Sequence, residues 1–174
     1  MSYEKIPLGD KVPKIINAVV EIPKGSHHKY EFDEELDEIR LDRVLHSPVF
    51  YPTDYGFIPQ TRAEDRDHLD VLVLVTDPLF PGCVVSVRVV GMLDMEDNAG
   101  RDYKIVGVAE NDPKLDNIQN IDDLDEQYKK EIVHFFEVYK QLEGKWAKVK
   151  GWFSKEEAQV VIKEAKERFA QEER

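Results

Sequence analysis

Asp65-Arg66-Asp67-His68-Leu69-Asp70-Val71-Leu72-Val73-Leu74-Val75 sets two kinds of chemistry side by side. Its second half, Val71–Val75, is apolar without interruption, the pattern of a strand covered on both faces. Its first half places Asp65, Asp67 and Asp70 within six residues. In an extended segment Asp65 and Asp67 point the same way, and Asp70 arrives as the buried strand begins. Close carboxylates repel by roughly 1–4 kcal/mol per pair at surface dielectrics. A hard divalent cation removes that repulsion, because Mg²⁺ and Ca²⁺ take oxygen ligands. An ordinary acidic loop is the plain alternative, and the spacing is not that of an EF-hand.

Upstream and downstream of this stretch the chain reads as short strands. The expected strands are Ile15–Ile22, Lys29–Phe32, Ile39–His46, Val71–Val75, Val84–Leu93 and Tyr103–Glu110. Pro23-Lys24-Gly25, Asp77-Pro78 and Pro81-Gly82 punctuate them as turns. The last third changes period. Ile121, Leu124, Tyr128, Ile132, Phe135, Tyr139 and Leu142 recur at steps of three and four, an apolar stripe on one helix, with Gly144 as its stop. Ser154 and Glu157 form a capping box opening a second helix, whose buried face is Ala158, Val161, Ile162, Ala165 and Phe169. The expectation is an α+β domain, mainly β, with a small barrel and two helices packed outside it.

The 174 residues suit one domain, 1–174. Lys and Arg number 24 against 36 Asp and Glu, and the net charge of −12 argues against binding a nucleic-acid backbone. The single cysteine, Cys83, excludes a cysteine-cluster metal site. With no secretory signal and no apolar run near the ~18 residues of a membrane span, the expected setting is cytoplasmic, with no membrane partner.

Some charges break the strand pattern. Arg43 shares a face with Ile39, Leu41 and Leu45, and Glu21 shares one with Ile15 and Val19. A charge on an apolar face costs several kcal/mol unless it is paired. The ordinary explanation is a strand end emerging into water. Lys29-Tyr30-Glu31 and Asp102-Tyr103-Lys104 each put a lysine and a carboxylate on one side of a strand, which by itself describes a surface ion pair. A second acidic loop, Asp94 to Asp102, offers Asp97 and Asp102 as further oxygen ligands. His27, His28, His46, His68 and His134 make no HExxH pair, and no P-loop or dinucleotide motif occurs. His68 is expected to face solvent.

Taken together, these pieces resemble the soluble family I inorganic pyrophosphatases of the short bacterial and archaeal type. The resemblance runs from Val20-Glu21-Ile22-Pro23 through Lys29-Tyr30-Glu31, Asp42-Arg43, Phe50-Tyr51-Pro52, Asp54-Tyr55-Gly56, Asp65 to Asp70, Pro81-Gly82 and Asp97 to Lys104. It continues through His134-Phe135-Phe136-Glu137-Val138-Tyr139-Lys140 to Gly151-Trp152. No single fragment suffices; the pieces match in order and at matching separations. The resemblance implies a five-stranded OB-like barrel, a homo-oligomer that is commonly a hexamer, and Mg²⁺-dependent hydrolysis of inorganic pyrophosphate with several ions per site. It implies that Asp65, Asp70 and Asp102 hold the principal ion, with Asp70 shared by a second. Asp97 and Asp102 take a further ion arriving with substrate, and Glu31 reaches a fourth. Asp67 is implied as the base. Lys29, Arg43, Tyr55, Lys104, Tyr139 and Lys140 are implied to contact phosphate, with Glu21 and Tyr51 supporting the edge.

The chain departs from the family where Arg66 and His68 replace the glycine or serine and the proline of the usual Asp-Gly-Asp-Pro or Asp-Ser-Asp-Pro, and where Asn98 replaces the glutamate of Asp-Glu-Ala-Gly. From Arg66 and a titrating His68 the expectation is weaker activation by Mg²⁺. The competing readings are an OB-like binding module and a catalytically impaired relative.

Overall fold

The computed structural model describes residues 3–172. β1 (Ile15–Ile22), β4 (Asp54–Ile58), β5 (Leu69–Leu74), β7 (Gly100–Ala109) and β6 (Val84–Asp97) hydrogen-bond in that order, and β6 pairs back onto β1, so the five close into a ring. Closure removes the open sheet edges that otherwise invite pairing with other chains. β2 (His28–Asp33) and β3 (Glu38–Val44) form a separate hairpin. β8 (Ala147–Ser154) adds to the far half of β6, whose 14 residues are long enough to serve β1 at one end and β8 at the other. Two α-helices, α1 (Glu126–Val138) and α2 (Lys155–Glu172), and four short 3₁₀ turns complete the described elements. The mainly-β, two-helix barrel expected from the sequence is what the chain forms.

β5 is covered on both sides, as its apolar run requires. Leu72 and Leu74 pack with Ile132, Phe135 and Phe136 of α1, while Val71 and Val73 pack with Ala158, Ile162 and Ala165 of α2. At roughly 1.5–3 kcal/mol per large apolar side chain, this two-sided burial is what fixes β5 at the centre. The α2 capping box forms: Ser154 N donates to Glu157 Oε2 at 2.9 Å, and Glu157 N donates to Ser154 Oγ at 3.3 Å.

The structure departs from the sequence reading in three places. The stripe from Ile121 to Leu142 is not one helix: a short 3₁₀ turn at Ile121–Asp123 precedes α1, and Asp125 caps it by accepting from Gln127 N and Tyr128 N. The chain leaves α1 through a second 3₁₀ turn, Gln141–Glu143, which ends on Gly144 at φ 71° and leaves Leu142 67% exposed. Two strands, β4 and β8, are absent from the strands expected from the sequence. β4 contains Gly56, a residue type depleted in strands. A Cβ at Gly56 would stand 1.9 Å from Val19 O, so the glycine is there for close strand approach. β8 alternates lysines with apolar residues and stays half-exposed. Cys83, which its place between Pro81-Gly82 and an apolar strand marks as a small buried residue, is only partly buried.

Candidate active site

Strand register assembles the site at one end of the barrel. In the parallel β5–β7 pairing Asp70 lies opposite Lys104, and in the hairpin Lys29 lies opposite Arg43. Alternation puts Asp70 on the same side as Leu72 and Leu74, and Lys104 on the same side as Val106 and Val108. Both thus emerge at the end of the layer that packs under α1. A cavity of about 280 Å³ opens there, lined by Glu21, Lys29, Glu31, Tyr55, Asp65, Asp67, Asp70 and Asp102 among others.

Lys104 is the hub. It is 2% exposed, and its Nζ donates to Asp70 Oδ2 at 2.8 Å, Asp102 Oδ2 at 2.9 Å and Tyr55 Oη at 2.9 Å. Burial disfavours its charge, but Asp102 and Asp70 overcome that and hold its pKa well above the ordinary lysine value. Tyr55 in turn donates to Asp70 Oδ2 at 2.6 Å; burial first, and then Asp70, keep its hydroxyl protonated far above the usual range. Asp102 is pushed up by burial, pulled back by Lys104 and pushed up again by Asp70. Asp67 lies on an exposed loop, yet partial loss of solvent at the cavity, and then the neighbouring charges of Asp65 and Asp70, raise its pKa.

Other predicted residues surround this hub. Tyr51 meets Tyr55 edge-on at 5.7 Å between ring centroids. Tyr139 meets Phe136 edge-on at 5.8 Å, and the Phe136 ring lies 5.6 Å from the Lys104 ammonium. Lys140 pairs with Asp97, whose pKa is lowered because that ion pair and the Ala99 N–H outweigh the opposing effect of burial. Lys29 pairs with Glu31, as the surface reading has it, yet both also line the cavity. Glu21 is not at an emerging strand end. It is 8% exposed, accepts from Phe32 N at 2.7 Å, and burial drives its pKa up to about 8.

Two residues that strand alternation did not single out complete the charge pattern around Arg43. Asp42 contacts Arg43 and lies 3.4 Å from Lys29; Glu143 Oε1 lies 2.7 Å from Arg43 Nε. Glu143 comes from the 3₁₀ turn after α1, so no strand or helix period points to it. The expectation for His68 is overturned. It is 8% exposed, its ring stacks on Phe57 at 4.9 Å, and its Nδ1 lies 3.1 Å from Thr61 O. Burial and the adjacent Arg62 lower its pKa, so it is a neutral, inward-turned residue at neutral pH.

The donors in this cavity are hard carboxylate oxygens, and the upward shifts of Asp67 and Asp102 include repulsion from neighbouring carboxylates. That chemistry fits a divalent cation with a preference for oxygen. Among the described residues no three such groups already converge as a closed cage, and Lys104 stands between Asp70 and Asp102.

Fold and site together define a closed β-barrel protein whose acidic, cation-rimmed cavity suits a metal ion and a compact polyanion. The family model for inorganic pyrophosphatase matches residues 18–170. An inorganic pyrophosphatase of Thermus thermophilus is 56% identical over 154 residues, covering 87% of this chain and 88% of that protein. One from Saccharolobus solfataricus is 50% identical over 170 residues, covering 96% and 99%. The crystal structure of inorganic pyrophosphatase from Thermus thermophilus superposes with a TM-score of 0.95 at 51% identity, covering 98% of this chain and 99% of that one. The chain belongs to the inorganic pyrophosphatase family, whose members need a divalent metal.

Proposed function

We propose that this chain hydrolyses inorganic pyrophosphate to two phosphates with Mg²⁺ as its metal. The observation that carries the reading is the Lys104 hub, a buried cation joined to Asp70 and Asp102 beside the acidic loop, in a chain of this family. Asp65, Asp70 and Asp102 would hold the principal ion, Asp70 also a second, Asp97 and Asp102 a third, and Glu31 a fourth. When bound, the ions polarise phosphoryl oxygens and lower the pKa of water.

The protein groups have the remaining work. Asp67 accepts the proton of the attacking water, a task favoured by the upward shift of its pKa. The water oxygen bonds to one phosphorus as the bridging oxygen leaves with the other phosphate. Lys29, Arg43, Lys104 and Lys140, with the hydroxyls of Tyr55 and Tyr139, hold the phosphate oxygens, since this chemistry rests on positioning and charge. Glu21 accepts from the backbone of Phe32 and so steadies the strand carrying Lys29 and Glu31. Tyr51 supports Tyr55 through its edge-on ring contact.

The test is phosphate release from pyrophosphate with Mg²⁺ and with a chelator. Release that depends on Mg²⁺ is expected; release indifferent to the chelator, or none under Mg²⁺, overturns the reading. An OB-like binding module and an impaired relative are not favoured, because the acidic and cationic positions are intact. Among the described residues no helix is long and apolar enough to cross a membrane. We read the chain as one domain acting in the cytoplasm as a homo-oligomer, a hexamer by family resemblance, which light scattering tests.

A further inference from the structure

Residues 64–67 are exposed, yet the next residue, His68, is buried. The loop is pinned at its base: Ala63 N donates to Asp67 O at 2.8 Å, Leu69 N donates to Thr61 Oγ1 at 3.0 Å, and His68 Nδ1 meets Thr61 O. Arg62 Nη1 lies 3.2 Å from Nδ1 and 3.3 Å from Nε2, over the imidazole rather than on one lone pair, and 3.2 Å from Glu34 Oε1, which itself lies 3.2 Å from His68 Nε2. Arg62 is held in place by Glu172 Oε2 at 2.9 Å and by the Phe169 ring at 5.2 Å, both on α2.

Glu34 belongs to the turn joining β2 to β3, the hairpin that carries Lys29, Glu31 and Arg43. On the same side of the hairpin Phe32 stacks on Phe57 at 5.2 Å, and Phe57 stacks on His68. The imidazole is thus shared between two structures. Through Nδ1 on the Thr61 carbonyl it pins the base of the loop of Asp65 and Asp67, and through Glu34, Arg62 and Phe57 it meets the hairpin.

We infer that His68 is a positioning residue which, with Arg62 and Glu34, brackets the Asp65–Asp67 loop to the β2–β3 hairpin and so sets the metal-holding and phosphate-holding groups relative to each other. The inference rests on the function proposed above. An exposed ion pair contributes little, but Arg62 and His68 are largely shielded from water, where directional contacts count for more.

The experiment uses the full chain with His68→Phe, which keeps a ring against Phe57 but removes the polar link, Glu34→Ala, Glu34→Gln, and the double variant His68→Phe/Glu34→Ala. Mg²⁺ binding to the metal-free protein is measured by calorimetry, and KM and kcat by phosphate release. His68→Phe and Glu34→Ala are each expected to weaken Mg²⁺ binding by roughly tenfold, as loss of a ligand-orienting contact does, and to raise KM. The double variant should be no worse than the poorer single, and Glu34→Gln, which still accepts from Arg62, should restore most of the loss. Independent, additive losses, or unchanged Mg²⁺ affinity in folded His68→Phe, would overturn the bracket. A parent chain inactive under Mg²⁺ would instead sink the proposed function, while calorimetry would still decide for or against the bracket.

Discussion

Lys104 and Asp70 face each other across the parallel β5–β7 pairing and are joined at 2.8 Å between Nζ and Oδ2. A buried ammonium between carboxylates occupies the kind of position a metal ion would also favour, so the charge balance of the site differs with and without metal. Replacing it by Lys104→Met leaves Asp70 and Asp102 close together with no counter-charge. Stripping one partner from a buried ion pair typically costs about 3–5 kcal/mol. The metal-free variant should therefore melt well below the parent, and Mg²⁺ should recover more of its stability than it adds to the parent. Melting curves in chelator and in Mg²⁺ check this; equal Mg²⁺ gains in both proteins count against it.

Asp67 and Asp70 should separate binding from chemistry. Asp67→Asn removes a proton acceptor from an exposed loop and should lower kcat by roughly 10²–10⁴ with Mg²⁺ affinity nearly kept. Asp70→Asn, at the junction of Tyr55 and Lys104, should weaken Mg²⁺ binding itself. Calorimetry showing equal loss of affinity in both contradicts the division.

Glu21 makes the metal-free protein sensitive to pH. Its pKa is about 8 when folded and 4.5 for the free group, so between those values the folded state keeps a proton that the unfolded chain has released. Stability should fall as pH rises from 4.5 through 8, with the loss complete above that. Glu21→Gln keeps an oxygen for Phe32 N–H and removes the titration, so its melting temperature in chelator should decline less between pH 5.5 and 8.5. Parallel declines in both proteins refute the cause.

Arg66 has φ 78°, in the left-handed region where glycine is cheap and a side chain costs roughly 1–2 kcal/mol. Arg66→Gly gives back part of that through its freer unfolded state, leaving a net gain of up to about 1 kcal/mol. It also removes a cation beside Asp65 and Asp67, so less Mg²⁺ should be needed for half-maximal rate. His68→Pro should not share the benefit, because it dismantles the contacts to Arg62 and Thr61. A Mg²⁺ titration of initial rate on each variant tells the two apart.

Much of this was readable along the chain. The run Val71–Val75 announces a strand buried on both faces because burial leaves no polar alternation, and the Ser154–Glu157 box marks a helix start because capping is local. Acidic loops can be seen as ligand-rich from composition and spacing alone. Contacts distant in sequence could not be read in this way. Gly56 is silent about Val19, whose carbonyl decides why no side chain fits there. The burial of Glu21, the pairing of Arg43 with Glu143, and the inward turn of His68 onto Phe57 and Arg62 depend on barrel closure and on where α2 comes to rest. Local sequence determined which elements form and which residue types were available to bind metal and phosphate. Only the tertiary structure decided which charges lose water and which partners meet them, because desolvation and ion pairing depend on neighbours in space rather than along the chain.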